Sequence, residues 1–282
     1  MYLCITKQKI IEMTDLTKFH KAIPLTETEI REMAPSVYAE EASGHVSDKY
    51  TFIPTTQVIE DMAQLGWKVY SAEQRSARTR VRNNFTKHLL RFRNEELEQI
   101  NGCYPEITLT NSHDGRNAFQ FYVGLYQPNN QVSFIITAGD LGNLRIKHQW
   151  YTLDEVRQVT QKVTNHIPTI VEQVDMLTQT TIDVGEQRRY VLDSLKTRWG
   201  QDYPNILTQV MIEPLRGTNV TLWDCFNNIQ NKIMNGGITY TLPSKRKQTV
   251  RAITNVDLKI KINEELWAVT QQYVLKKQTS VI

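Results

Sequence analysis

Apolar and polar positions repeat with two different periods along this chain, and the change of period divides it. Trp67-Lys68-Val69-Tyr70-Ser71-Ala72-Glu73-Gln74 and Lys87-His88-Leu89-Leu90-Arg91-Phe92-Arg93 alternate every second residue, as a strand with two unlike faces does. Glu106 to Thr110, Phe119 to Tyr126, Gln131 to Ala138 and Leu144 to Trp150 continue the pattern. Short polar turns separate these runs: Asn111-Ser112-His113-Asp114-Gly115, Pro128-Asn129-Asn130 and Leu141-Gly142-Asn143. The Asp-Gly pair favours the positive φ that hairpins require. Consecutive strands joined in this way predict an antiparallel β-meander.

The other period is helical. Gln57 to Leu65 sets Val58, Met62 and Leu65 on one face, with Gly66 to close it. From Thr152 a capping-box start leads into Val156, Val159, Val163, Ile167 and Ile170, and Pro168 is expected to kink or break that helix. Gly185 to Gly200, Thr221 to Ile229 and Asn263 to Leu275 predict three more. Residues 1–50 read as a peripheral helical segment, with cap-like starts at Thr14 and Thr26 and a short β-rich run at Tyr50 to Pro54. The expected architecture is one compact α+β domain over residues 1–282, mainly β from 51 to 151 and mainly helical from 152 to 282. An antiparallel meander packs in it against long helices.

Composition narrows the class. With 282 residues, 40% hydrophobic and 22% charged, the chain has the balance of a folded globular protein. Its longest apolar runs are strand-sized, far short of the roughly 20 residues that span a bilayer. Met1 to Lys7 is too short for a signal-peptide core. Cys4, Cys103 and Cys225 form no CxxC pair, which predicts free thiols in a reducing cytoplasm, without disulfide or structural zinc.

The net charge of +3 hides an uneven distribution. From Arg75 to Arg93 there is no acidic residue, while Arg75, Arg78, Arg80, Arg82, Lys87, Arg91 and Arg93 are basic. A second run is Lys245-Arg246-Lys247, followed by Arg251, Lys259 and Lys261. Acid concentrates at Glu27 to Glu41 and Glu95 to Glu98. One basic and one acidic surface is the footprint of a polyanion binder, unless countercharges fold against the runs. On a strand, Lys87, Leu89, Arg91 and Arg93 share one face and His88, Leu90 and Phe92 the other. The first set is then a phosphate-contacting edge and Phe92 a core residue. Tyr70, Phe85 and Phe92 are the aromatics interleaved with this run.

Other chemistry has little support. No GxxxxGK[ST] or GxGxxG loop is present, and none of the six histidines has metal-ligand spacing. His113-Asp114 near Glu106 is the sole constellation resembling a metal or acid/base site, and adjacent hairpin residues usually point apart. The expectation is a protein without catalytic residues, metal or cofactor.

The ordered segments Val58 to Val69, Lys87 to Arg93 and Pro105 to Gly115, with Leu222-Trp223-Asp224-Cys225-Phe226-Asn227 later, resemble a phage- and plasmid-borne family, domain of unknown function 932, over about residues 55–270. The pattern departs after Tyr126, where Gln127-Pro128-Asn129-Asn130 stands in place of a Cys-x-Asn-Gly segment, so no role of that cysteine carries over. The resemblance implies a mobile-element origin and no known activity. A helix ending at Gly66-Trp67, a meander and a long helix from Thr152 are also similar to the β-β-β-α core of Rad52-type single-strand annealing proteins. Together these give the expectation of a non-enzymatic protein of the bacterial cytoplasm, able to form a homo-oligomer. It would bind single-stranded DNA without sequence specificity through Arg75, Arg78, Arg80, Arg82, Lys87, Arg91, Arg93 and Lys245, Arg246, Lys247. The alternative is an anti-defence protein that inhibits a host protein complex without touching DNA.

Overall fold

The computed structural model describes residues 23–44, 46, 51–75, 84–115, 119–128, 132–136, 144–146, 152–201, 214–217, 219–242 and 244–279. Strands β1 (Trp67–Gln74), β2 (His88–Asn94), β3 (Tyr104–Asn111) and β4 (Phe119–Gln127) are consecutive antiparallel neighbours. Their register sets Val69, Phe92, Ile107 and Val123 in one row across the sheet. Alternation therefore delivers one apolar face, as the sequence predicts.

β5 (Val132–Ile135) pairs with Gly124–Gln127, the end of β4, while β6 (Arg145–Ile146) pairs with Phe119–Gln120 at its beginning. The meander thus holds as far as β5, but β6 returns to β4 instead of extending past β5. β4 is nine residues long and β5 only four, so half of the β4 edge would otherwise carry unpaired backbone groups.

Among the described residues six α-helices accompany the sheet: α1 (Glu27–Met33), α2 (Thr55–Gln64), α3 (Leu153–Gln179), α4 (Val184–Trp199), α5 (Leu222–Asn235) and α6 (Val256–Thr279). The fold is α+β, as expected. Thr26 with Glu29 makes a complete capping box, and Thr152 accepts from the Glu155 backbone N–H. The Thr14 start lies outside the described residues, and Thr51 to Pro54 forms no strand.

Of the two outcomes expected at Pro168, a break is excluded, because α3 runs 27 residues through it. Val163 on one side and Ile170 and Val174 on the other are buried in one core, and that packing outweighs one missing backbone bond. The expectation of a peripheral N-terminal segment is corrected for its described part alone: Leu25, Ile30, Ala34 and Val37 are buried in that same core. β1 is an edge strand that needs a cover, and Leu25 N–H donates to the Val69 carbonyl at 2.7 Å.

The main core runs from Leu25 to Val274, uniting the inner face of the sheet with the helices. A smaller cluster, Leu89, Ile135, Val256 and Ile260 with Tyr122 against it, joins the outer face to α6. α6 begins at Val256, earlier than the expected Asn263, and the added residues are those that cover β2. Among the described residues no helix is long and apolar enough to cross a membrane.

Candidate nucleic-acid interface

The alternation on β2 is as read, yet the cationic face is not a surface. Lys87, Arg91 and Arg93 are only 8%, 7% and 4% exposed. Lys87 Nζ pairs with Asp257 at the start of α6, and Arg91 Nη1 donates to Glu73 Oε1 at 2.7 Å. Lys259 of α6 pairs with the same Glu73. Burial works to raise the Glu73 carboxyl, but Arg91 and Lys259 beside it prevail and hold it at about 2. The expectation that Lys87, Arg91 and Arg93 contact phosphate is therefore corrected. Their countercharges come from β1, β3 and a helix some 170 residues away, which no local charge count can see.

Arg93 is the deepest of the three. Its Nε donates to Glu106 Oε1 at 2.7 Å, and its guanidinium stacks 3.6 Å from the Tyr126 ring and 4.7 Å from that of Tyr70. Tyr70, one of the aromatics interleaved with the basic run, sits in the bulge of β1 and gives its hydroxyl to Glu95. Phe92 is core, as expected, and Phe85 is half-buried.

Among the described residues of the first run, Arg75, just after β1, is exposed. Arg78, Arg80 and Arg82 lie outside the described residues.

The second run has the clearer geometry. Lys245, Arg246 and Lys247 cap a hairpin of β7 (Thr239–Thr241) and β8 (Lys247–Thr249). All three are exposed, and they make no ion pair among the described residues. Tyr240 and Val250 anchor the hairpin in the core. At its foot Gly236 has φ +63, and a Cβ there would lie 2.4 Å from the Val250 carbonyl oxygen, so only glycine fits. Arg198 of α4 donates to the backbone carbonyls of Ile233 and Arg251, fastening both sides. Lys245 itself holds φ +62, the left-handed region that costs a non-glycine residue about 1 kcal/mol.

Glu106, His113 and Asp114 are not brought together. Glu106 faces outward to Arg93, Asp114 accepts from the Ser112 hydroxyl at 2.7 Å, and His113 turns inward. There a polar node appears that the sequence did not reveal. Thr55 Oγ1, at the first position of α2, lies 2.9 Å from His88 Nε2 and 3.2 Å from His113 Nε2 and accepts from Asn111 Nδ2 at 3.0 Å. All four residues are fully buried. A hydroxyl donates once and accepts twice, so Thr55 gives its proton to one imidazole and accepts from the other. The two rings then carry opposite tautomers. Burial, helped by the neighbouring His113, pushes His88 down to about 3.

The family model described as Domain of unknown function (DUF932) matches residues 42–267. The chain is also similar to the UPF0380 proteins YafZ and YfjQ of Escherichia coli (strain K12). Each is 27% identical over 258 residues, spanning 90% of this chain and 93% of the relative. No solved structure matches.

Proposed function

The chain belongs to the DUF932 family, and we propose that it binds single-stranded DNA without sequence specificity, as a non-enzymatic protein that anneals or protects the strand. The observation that supports this is the hairpin tip: three consecutive exposed cations on a rigidly anchored loop, one of them held in strained backbone. Lysine and arginine in that setting contact phosphates and carry no base code. With Lys87, Arg91 and Arg93 removed from the ten candidates, seven contacts are left: Arg75, Arg78, Arg80, Arg82, Lys245, Arg246 and Lys247. The proposal includes a setting in the cytoplasm of a bacterial host, on a mobile element. The preference for single strands rests on the topological likeness to Rad52-type proteins, which the duplex arm of the test addresses.

The test is fluorescence anisotropy with a labelled 30-mer, single-stranded and duplex, for the native chain and for K245E/R246E/K247E. Tight single-strand binding that the variant loses supports the proposal. Equal affinity in a still-folded variant overturns the role of the hairpin. No DNA binding, with a stoichiometric host protein recovered from nuclease-treated lysate, replaces the reading with a protein-inhibitor role.

A further inference from the structure

The N-terminal layer leaves a cleft of about 600 Å³ between α1, the 3₁₀ turn Pro35–Tyr38 and α2. Its floor is apolar, built on Ile30 and Ile59, and Tyr38 forms one wall. Glu27, Glu40 and Glu60 stand on the rim. One cation is already seated there. The Arg31 guanidinium donates to Glu27 Oε1 at 2.9 Å and lies 3.9 Å from the Tyr38 ring centroid. The wall and rim thus accept a guanidinium, with an aromatic face beneath it and a carboxylate beside it.

Arg31 satisfies Glu27 alone. Glu40 and Glu60 are exposed and make no ion pair among the described residues. Two uncompensated carboxylates over an apolar floor suit a side chain with a hydrocarbon stem and a cationic head, which is lysine or arginine. The chain presents three such side chains on one projecting element, Lys245, Arg246 and Lys247, and they too are unpaired among the described residues. Within one molecule the two groups do not meet, since each would otherwise neutralise the other.

We propose that the cleft receives the Lys245–Lys247 hairpin of a second copy of this chain. The contact is head-to-tail, so it leaves one cleft and one hairpin free and repeats into rings or open chains. A hairpin tip in a cleft buries less than a standard interface, which sets it among weak contacts with Kd of about 10–100 μM. Because opposite charges carry it, association weakens by roughly tenfold or more as salt rises about tenfold. The proposal does not depend on the nucleic-acid reading, and its assay contains no DNA.

Sedimentation velocity on the full chain at about 50 and 500 mM salt tests it. The native chain should associate with rising concentration at the lower salt and be monomeric at the higher. E40K/E60K alone and K245E/R246E/K247E alone should both be monomeric. Mixed one to one, they should form a dimer that grows no further, because each supplies the one competent surface the other lacks. The substituted side chains are exposed, and E40Q/E60Q with a circular-dichroism melt replaces the lysine variant if it is misfolded. A native chain that stays monomeric at about 100 μM and the lower salt overturns the proposal. So does association that survives in either variant, or a mixture that fails to pair.

Discussion

β2 and the β7–β8 hairpin are both rich in basic residues, and the structure uses them in opposite ways. On β2 the cations are interior groups. Each is paired with a carboxylate from another element, Lys87 with one on α6 and Arg91 and Arg93 with ones on the flanking strands β1 and β3. On the hairpin the cations are exposed and the backbone beneath them is pinned by Gly236 and Arg198. A basic run therefore says little until its partners are known. On β2 charge fastens a helix to a sheet, and on the hairpin it is offered to something outside the chain.

That contrast is open to attack by substitution. The largest effect belongs to the most deeply buried pair. Arg93→Met leaves Glu106 charged and unpartnered in the interior, and should cost about 3–5 kcal/mol of stability in urea unfolding. The double change Arg93→Met with Glu106→Leu should recover most of it, because two well-packed apolar residues replace a buried pair at little net cost. A single variant that loses less than about 1 kcal/mol would show that β2 is a surface after all.

Acid gives the next largest effect. His88 is held near 3 in the folded chain but titrates near 6.5 when unfolded, so the unfolded state binds the extra proton between those values. Stability is then fully present above pH 6.5 and falls as pH drops, by about 2 kcal/mol at pH 5. Replacing His88 by Gln should remove that slope in denaturant melts taken from pH 7 to pH 5. An unchanged slope would assign the acid sensitivity elsewhere.

Smaller changes sharpen the hairpin side. Lys245→Gly relieves the positive φ and should stabilise the fold by about 0.5–1 kcal/mol, while flattening the salt dependence of DNA binding by about 0.7. A gain in stability with a loss in binding is the signature of strain kept for function. Smallest of all, K245E/R246E/K247E should change stability by no more than about 0.5 kcal/mol, because these side chains are exposed and unpaired among the described residues. Thermal melts of both variants measure this.

Much of the fold was legible in local pattern. The strands from Trp67, His88, Tyr104 and Phe119 announce themselves by alternation, and the helices from Thr55, Leu153 and Val184 by spacing and caps. What could not be read were contacts across the chain. The pairing of β6 with β4 depends on β5 being short, and the burial of Leu25 and Val37 depends on the bare edge of β1. The site follows the same division. The two faces of β2 follow from parity alone, whereas the identity of the outer face depends on Asp257 and Lys259, which no property of residues 75–93 encodes. The Thr55–His88–His113 node was hidden for the same reason, since its members come from a helix start, a strand and a turn.

The most direct measurement of the account is the salt dependence of single-strand affinity for the native chain and the hairpin variant, by anisotropy between about 50 and 200 mM salt. If the buried β2 cations do not bind, the seven other candidates give a slope of log Kobs against log salt of about −5, and the hairpin variant about −3. A native slope near −7 would mean that Lys87, Arg91 and Arg93 reach phosphate despite their burial. Equal slopes in the two proteins, or no binding at the lower salt, would contradict the account.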